Sequence, residues 1–209
     1  MDLSSPSSSS DLEATIAADD PISVHYPSTC EFCTIASSFP PPTVVNPRTI
    51  TNPTTTSNAL PFQNHTLLST PDVLAFLDIN PINTGHLLLI PRSHTAHIDT
   101  LPPSISSTLG WWLPILSRAL RKATGVEDWN IQQNNGVRAK QTIYHVHFHF
   151  VPRPEVPLGK SSEAREWARW AGHEARAQLD EEEGEELARK MRRELRRELE
   201  GIRKAEERL

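Results

Sequence analysis

A chain of 209 residues with 37% hydrophobic and 22% charged side chains, 18 prolines and 8 glycines has room for one domain of ordinary size with extensions, not for two full domains. The net charge of −5 sits at the start: residues 1–22 hold five acids and no base, residues 23–158 eight bases and seven acids, and residues 159–209 thirteen bases and fourteen acids. The nearly neutral middle argues against a broad nucleic-acid surface, and with no run of about 20 apolar residues and no basic leader, neither a membrane span nor secretion is expected and cytosol or nucleus is.

Residues 1–22, Ser-rich and acidic, are expected to be a disordered tail. Cys30 and Cys33, a Cys-x-x-Cys pair, follow. A Pro- and Thr-rich stretch over 37–58 is expected to be an insertion loop. Val73–Ile79 is an apolar strand, Asn83-Thr84-Gly85 a turn and His86–Ile90 a second strand, together a hairpin. Apolar residues at helical spacing from Leu109 to Leu120 predict a helix between Ser104, as N-cap, and Gly125, as stop, with a kink at Pro114. Asp128–Gln133 and Thr142–Val151 are further strands. The region 23–158 is therefore expected to be an α+β domain, an antiparallel sheet with one main packed helix. Residues 159–209 form a charged helical extension in which Leu187, Met191, Leu195, Leu199 and Ile202 line one face. An earlier helical piece with Trp167 and Trp170 is expected to pack back on the core, with Gly172 its weak point.

His145-Val-His-Phe-His-Phe-Val151 carries the chemistry. On a strand alternate residues share a face at intervals of about 7 Å, so His145, His147 and His149 point one way while Val146, Phe148 and Phe150 point into a core. Three readings compete: solvent-facing histidines, a catalytic metal site, and a middle imidazole that attacks phosphorus with its neighbours stabilising phosphoryl oxygens. The strict register favours the third.

The seven residues resemble the defining motif of the histidine-triad (HIT) superfamily, and the likeness extends over about residues 28–155. It includes Cys30-Glu-Phe-Cys33, Leu74-Ala-Phe-Leu-Asp-Ile79, Gly85-His-Leu-Leu-Leu-Ile-Pro-Arg-Ser-His94, Asn134-Asn-Gly136 and Gln141-Thr-Ile-Tyr144. The resemblance implies a HIT-like fold and a nucleotide hydrolase or transferase of the Hint-like branch. His147 would form a nucleotidyl-imidazole that water resolves to a nucleoside monophosphate, and the attacking ring must be neutral. His149 would contact phosphate and assist the leaving group. Gln141, Thr142 and Asn134 match polar contacts near the phosphate, Asp78 matches an acid that accepts from the ribose hydroxyls, and Phe32, Ile35, Phe76 and Ile79 match an apolar base pocket.

The cysteine pair lacks the βαβ setting of a thioredoxin-like motif, which leaves a metal site, a bare thiol pair or redox chemistry. The resemblance implies a structural zinc held by Cys30, Cys33, His94 and His145, with no catalytic metal required. His65, His86 and His97 are read as surface or packing residues. Arg138 and Lys140 stand where the Hint-like branch has a small, Gly-rich segment, and could reach a phosphorylated leaving group.

The expected activity is a purine nucleoside 5′-phosphoramidase releasing AMP. The alternatives are a dinucleoside polyphosphate hydrolase and a non-catalytic nucleotide-binding module that recruits a protein partner through residues 185–209. The family further implies a homodimer.

Overall fold

The computed structural model describes residues 30–40, 65–155 and 178–208. The N-terminal tail, residues 41–58 of the expected insertion, and the Trp167–Trp170 piece with Gly172 lie outside the described residues.

Two apolar runs, Val73–Leu77 (β2) and Leu87–Pro91 (β3), are buried at every position, as strands covered on both faces must be. They pair antiparallel from Val73 with Pro91 to Leu77 with Leu87, the expected hairpin. The turn requires Gly85: its φ is +93°, and a Cβ there would lie 2.8 Å from Thr124 Cγ2. Thr66–Ser69 (β1), which sequence reasoning missed, pairs with β2. Phe148–Pro152 (β5) pairs with β3 and Trp129–Gln133 (β4) with β5, giving a fully antiparallel order β1-β2-β3-β5-β4.

β5 begins at Phe148, later than the expected Thr142. Upstream the backbone bonds elsewhere: the His145 N–H donates to the Ile143 carbonyl and the Val146 N–H to the Thr95 carbonyl. The alternation of faces survives this departure, because Val146 and Phe150 both enter the core.

One face of the sheet carries Pro103–Thr124 (α1) and Glu181–Glu206 (α2). α1 starts after Pro102 rather than at Ser104 and runs on through the exposed Pro114. It ends as expected at Gly125, whose φ of 71° lets its N–H reach the Arg121 carbonyl. α2 has local reasons to be helical: Asp180 accepts from the N–H groups of Glu182 and Glu183, Glu181, Glu182 and Glu183 fill the first turn, and Arg203 and Lys204 the last.

Leu187, Ala188, Met191 and Leu195 of α2 join Trp112, Leu116 and Leu120 of α1 and Leu67, Leu89 and Phe150 of the sheet in one cluster. Each fully buried side chain of this size contributes about 1.5–3 kcal/mol. The sheet therefore packs two long helices rather than one, and residues 187–195 belong to the same core as the strands. Leu187, Met191 and Leu195 of the apolar stripe are thus used within the chain.

The other face is covered by Glu31–Ser38 (a short helix, α0, lying upstream of the sheet), also missed from the sequence. Phe32, Ala36 and Phe39 pack on Leu74, Phe76, Leu88 and Ile90. Because the helix reaches Ser38 and Phe39 is buried, residues 37–39 belong to this layer and not to an insertion.

Candidate active site

Between α0 and the sheet lies a cavity of about 410 Å³ whose lining includes Phe32, Ile35, Phe76, Asp78, Ile79, Thr142, His147 and His149. The structure thus brings together eight of the residues singled out from sequence. Strand register explains part of it: His149 faces Leu88 across β3 and Gln132 across β4, and Leu88 belongs to the α0 face.

His147 is buried, with a single defined proton site. Its Nδ1–H donates to the His145 carbonyl at 2.6 Å, which leaves Nε2 as the nitrogen with a lone pair in the neutral ring. Burial pulls its pKa below the ordinary histidine value, opposed by that backbone bond. Phe32 packs edge-on against the ring, with centroids 5.2 Å apart, and His149 does the same at 4.7 Å. A neutral imidazole with one nitrogen anchored and the other unprotonated is the form a nucleophile needs.

His86 was read from sequence as a surface or packing residue; it is buried, and it also contacts His149 and Asp78. Its ring is buried, with Nε2 3.0 Å from His149 Nδ1 and Nδ1 3.2 Å from Asp78 Oδ2. The hairpin makes this possible, since the Asp78 N–H donates to the His86 carbonyl across the strand ends. Asp78 is further oriented by the Asn80 N–H on its Oδ1. The Ile82 N–H donates to His86 Nδ1 at 3.2 Å, so the neutral His86 ring carries its proton on Nε2, where it donates to His149 Nδ1. The available signal was a lone polar residue opening an otherwise apolar strand, Gly85-His86-Leu-Leu-Leu.

On the opposite side of His147, Cys30, Cys33, His94 and His145 place their ligand atoms within 4.8 Å of one another. The Cys33 sulfur lies 3.3 Å from His94 Nδ1 and 3.6 Å from His145 Nδ1, and the Cys30 sulfur 3.6 Å from His145 Nδ1. The His145 Nε2–H donates to the Pro91 carbonyl at 2.8 Å, fixing the tautomer that presents Nδ1 to the sulfurs, as metal-binding imidazoles require. Burial holds His145 neutral, with a pKa of about 4. Burial and the neighbouring Cys30 push the Cys33 thiol up to about 11, a penalty that a coordinated cation reverses. Two thiols and two oriented imidazoles fit a tetrahedral metal ion.

Two expected contacts are not at the cavity. Gln141 is buried behind the preceding loop, its Oε1 accepting from the Gly136 N–H and its Nε2 donating to the Ala96 carbonyl. Its amide is used in holding the loop. Asn134 does not line the cavity either, and its carbonyl accepts from Gln133 Nε2. His65 is buried, lines the cavity and touches Gly184 of α2 closely enough that a Cβ there would lie 1.8 Å from its Nε2.

A sheet of this order with three histidines alternating beside a cavity defines a histidine-triad protein. The HIT domain model matches residues 62–156. The chain is 41% identical over 93 residues to adenosine 5′-monophosphoramidase hnt1 of Schizosaccharomyces pombe, covering 44% of this chain and 67% of that one. It is 42% identical over 82 residues to adenylylsulfatase HINT3 of Arabidopsis thaliana, covering 39% of this chain and 42% of the relative, so less than half of that protein is matched. Among solved structures, a Zn-bound histidine triad family protein from Mycobacterium smegmatis superposes with a TM-score of 0.55 at 26% identity, covering 81% of this chain and 94% of that one. The chain belongs to the HIT family.

Proposed function

We infer that the protein is a nucleotide hydrolase that attacks the α-phosphorus of a purine nucleotide, and that its simplest substrate is a nucleoside 5′-phosphoramidate. The observation that carries this reading is the anchored, buried imidazole of His147, whose Nε2 lone pair is kept available by the His145 carbonyl. In the first step Nε2 forms a bond to phosphorus as the bond to the leaving amine breaks, and His149 supplies the proton that the amine takes away. In the second step a water oxygen bonds phosphorus, the N–P bond breaks, AMP leaves, and His149 receives the water proton. His86 and Asp78 hold the tautomer of His149 through this cycle, and Phe32, Ile35, Phe76 and Ile79 sandwich the base.

The cysteine–histidine cluster is proposed to hold a structural zinc through Cys30, Cys33, His94 and His145, supported by the donor set and by the Zn-bound neighbour. Such an ion supplies cross-linking between α0 and the segment that leads into β5.

A second reading concerns the leaving group. Arg138 and Lys140 are exposed on the loop before Gln141, and one relative is named an adenylylsulfatase; both favour an anionic leaving group such as sulfate.

The test is mass spectrometry after brief mixing with adenosine 5′-phosphoramidate or adenosine 5′-phosphosulfate, with AMP release followed in parallel. A transient AMP adduct that disappears in His147→Ala is expected. A wild-type protein that binds AMP but yields neither adduct nor product with either compound would overturn the enzymatic reading.

A further inference from the structure

We propose that Arg92 is a positioning residue for nucleotide binding, acting by clasping the free end of the helix that forms one wall of the cavity. The proposal rests on the reading of the cavity as a nucleotide site.

The helix Glu31–Ser38 has eight residues, too few to be stable on its own, yet it presents Phe32 and Ile35 to the cavity. Its last carbonyls have no intrahelical donors, and its own last turn contains no basic residue. Arg92, just beyond β3, supplies what is missing. Its Nη1 donates to the Ala36 carbonyl at 2.7 Å and its Nη2 to the Phe39 carbonyl at 2.5 Å. The same guanidinium bonds Ser69 Oγ at 2.6 Å and the Thr70 carbonyl at 2.5 Å, at the end of β1. Ser69 Oγ also donates to the Phe39 carbonyl. One planar cation thus ties the helix end to the sheet, and its charge suits the negative end of the helix dipole. A lysine ammonium cannot reach acceptors spread around a fork in this way.

The other end of the helix is held by different chemistry, Cys30 and Cys33 against His94 and His145. Arg92 and His94 stand in one short stretch, Pro91-Arg-Ser-His94, and the Pro91 carbonyl receives the His145 N–H. A single segment therefore grips the cavity wall at both ends. Phe32, the helix residue that touches His147, is at the cysteine end, whereas Ile35, Ala36 and Phe39 are at the Arg92 end. Releasing the Arg92 end should loosen the base-side wall and leave the reacting imidazole in place.

The experiment compares the full-length wild type with Arg92→Met and Arg92→Lys at equal metal content. It measures AMP affinity by calorimetry, KM and kcat for adenosine 5′-phosphoramidate, and hydrogen exchange over residues 31–39. For Arg92→Met, Kd and KM are expected to rise on the order of tenfold, the size of a lost charge-assisted hydrogen-bond set, with kcat within about twofold. Exchange should quicken at 35–39 more than at 31–33, and Arg92→Lys should fall between the two. A merely structural role would lower the melting temperature without moving KM in the folded fraction. Unchanged KM and Kd, or unchanged exchange at 35–39, overturns the proposal. If Arg92→Met does not fold, Ser69→Ala removes one arm of the clasp and must show the same pattern at smaller size. Failure of the wild type to bind AMP would sink the nucleotide reading instead, and the exchange comparison would still decide whether Arg92 holds the helix.

Discussion

Two clusters flank His147, and they are alike in sequence and opposite in chemistry. His145 on one side faces two thiols and His94, and His149 on the other faces His86 and, beyond it, Asp78. Both flanking imidazoles stand two residues from His147. What separates them is β3, which runs antiparallel to β5, so its start brings His86 to His149 while its end brings Pro91 and His94 to His145. One strand thus brings thiols and an imidazole to one end of the triad and an imidazole with a carboxylate to the other. The comparison teaches that the role of a triad histidine is set less by its place in the motif than by which end of the neighbouring strand it meets.

The division of labour can be broken at several points. The largest effect is expected at the ring both clusters serve: His147→Ala should lower turnover on the order of 10⁴-fold or more with metal content unchanged, and residual adduct on mass spectrometry would refute its role. Next is the proton side, where His86→Gln should lower kcat about 10- to 100-fold, the usual cost of losing a group that orients a functional imidazole. Metal content and melting temperature should barely change, and an equal loss of metal would show that the two clusters are not separate. On the cation side, Cys33→Ser or a chelator should remove the ion and about 3 kcal/mol of the stability it confers at a hundredfold excess over its Kd. That loss should appear in thermal melts, with a smaller effect on kcat than His86→Gln produces.

The smallest and most gradual effect is that of pH. The folded His147 has a pKa below the ordinary 6.5 because burial opposes its charged form, so between the two values the unfolded chain binds a proton that the folded one refuses. Stability from this group is fully present above about 6.5 and declines as pH falls towards the folded value. Turnover should persist below pH 6.5 and fail only as the folded ring itself takes up a proton. A rate profile that breaks above 6.5 on its acid side would contradict this. His65, also depressed by burial, shifts stability in the same direction.

Much of this was legible before any coordinates. Val73–Ile79 and His86–Ile90 read as strands because each holds a short apolar run bounded by turn residues, α1 because its apolar residues repeat, and its end because Gly125 suits the left-handed cap. The triad was legible because two-residue alternation survives even where the ladder does not. Other features depend on direction, which residue type does not encode. Gln141 turns its amide towards Gly136 and Ala96, and the motif gives no hint of that. His86 resembles a packing residue until its neighbours across the hairpin are known. β1, only Thr66–Ser69, is too short to show a period, and Glu31–Ser38 looks like a polar loop because its apolar residues occupy one narrow face. The stripe from Leu187 to Ile202 would suit a coiled coil or an intramolecular dock equally well; what decided between them was the apolar face of α1, whose Trp112, Leu116 and Leu120 share one buried cluster with it.

The docking of α2 also bears on how the molecule comes into being. The stretch that matches the family ends at residue 156, yet Leu187, Ala188, Met191 and Leu195 complete the cluster around Trp112. During synthesis from the N-terminus, the strands and the histidine triad emerge before the helix that covers their apolar side. A nascent chain that has just finished the triad therefore presents a greasy, unfinished surface, and cooperative closure waits for a segment made some forty residues later, as the positions of His149 and Leu187 to Leu195 dictate.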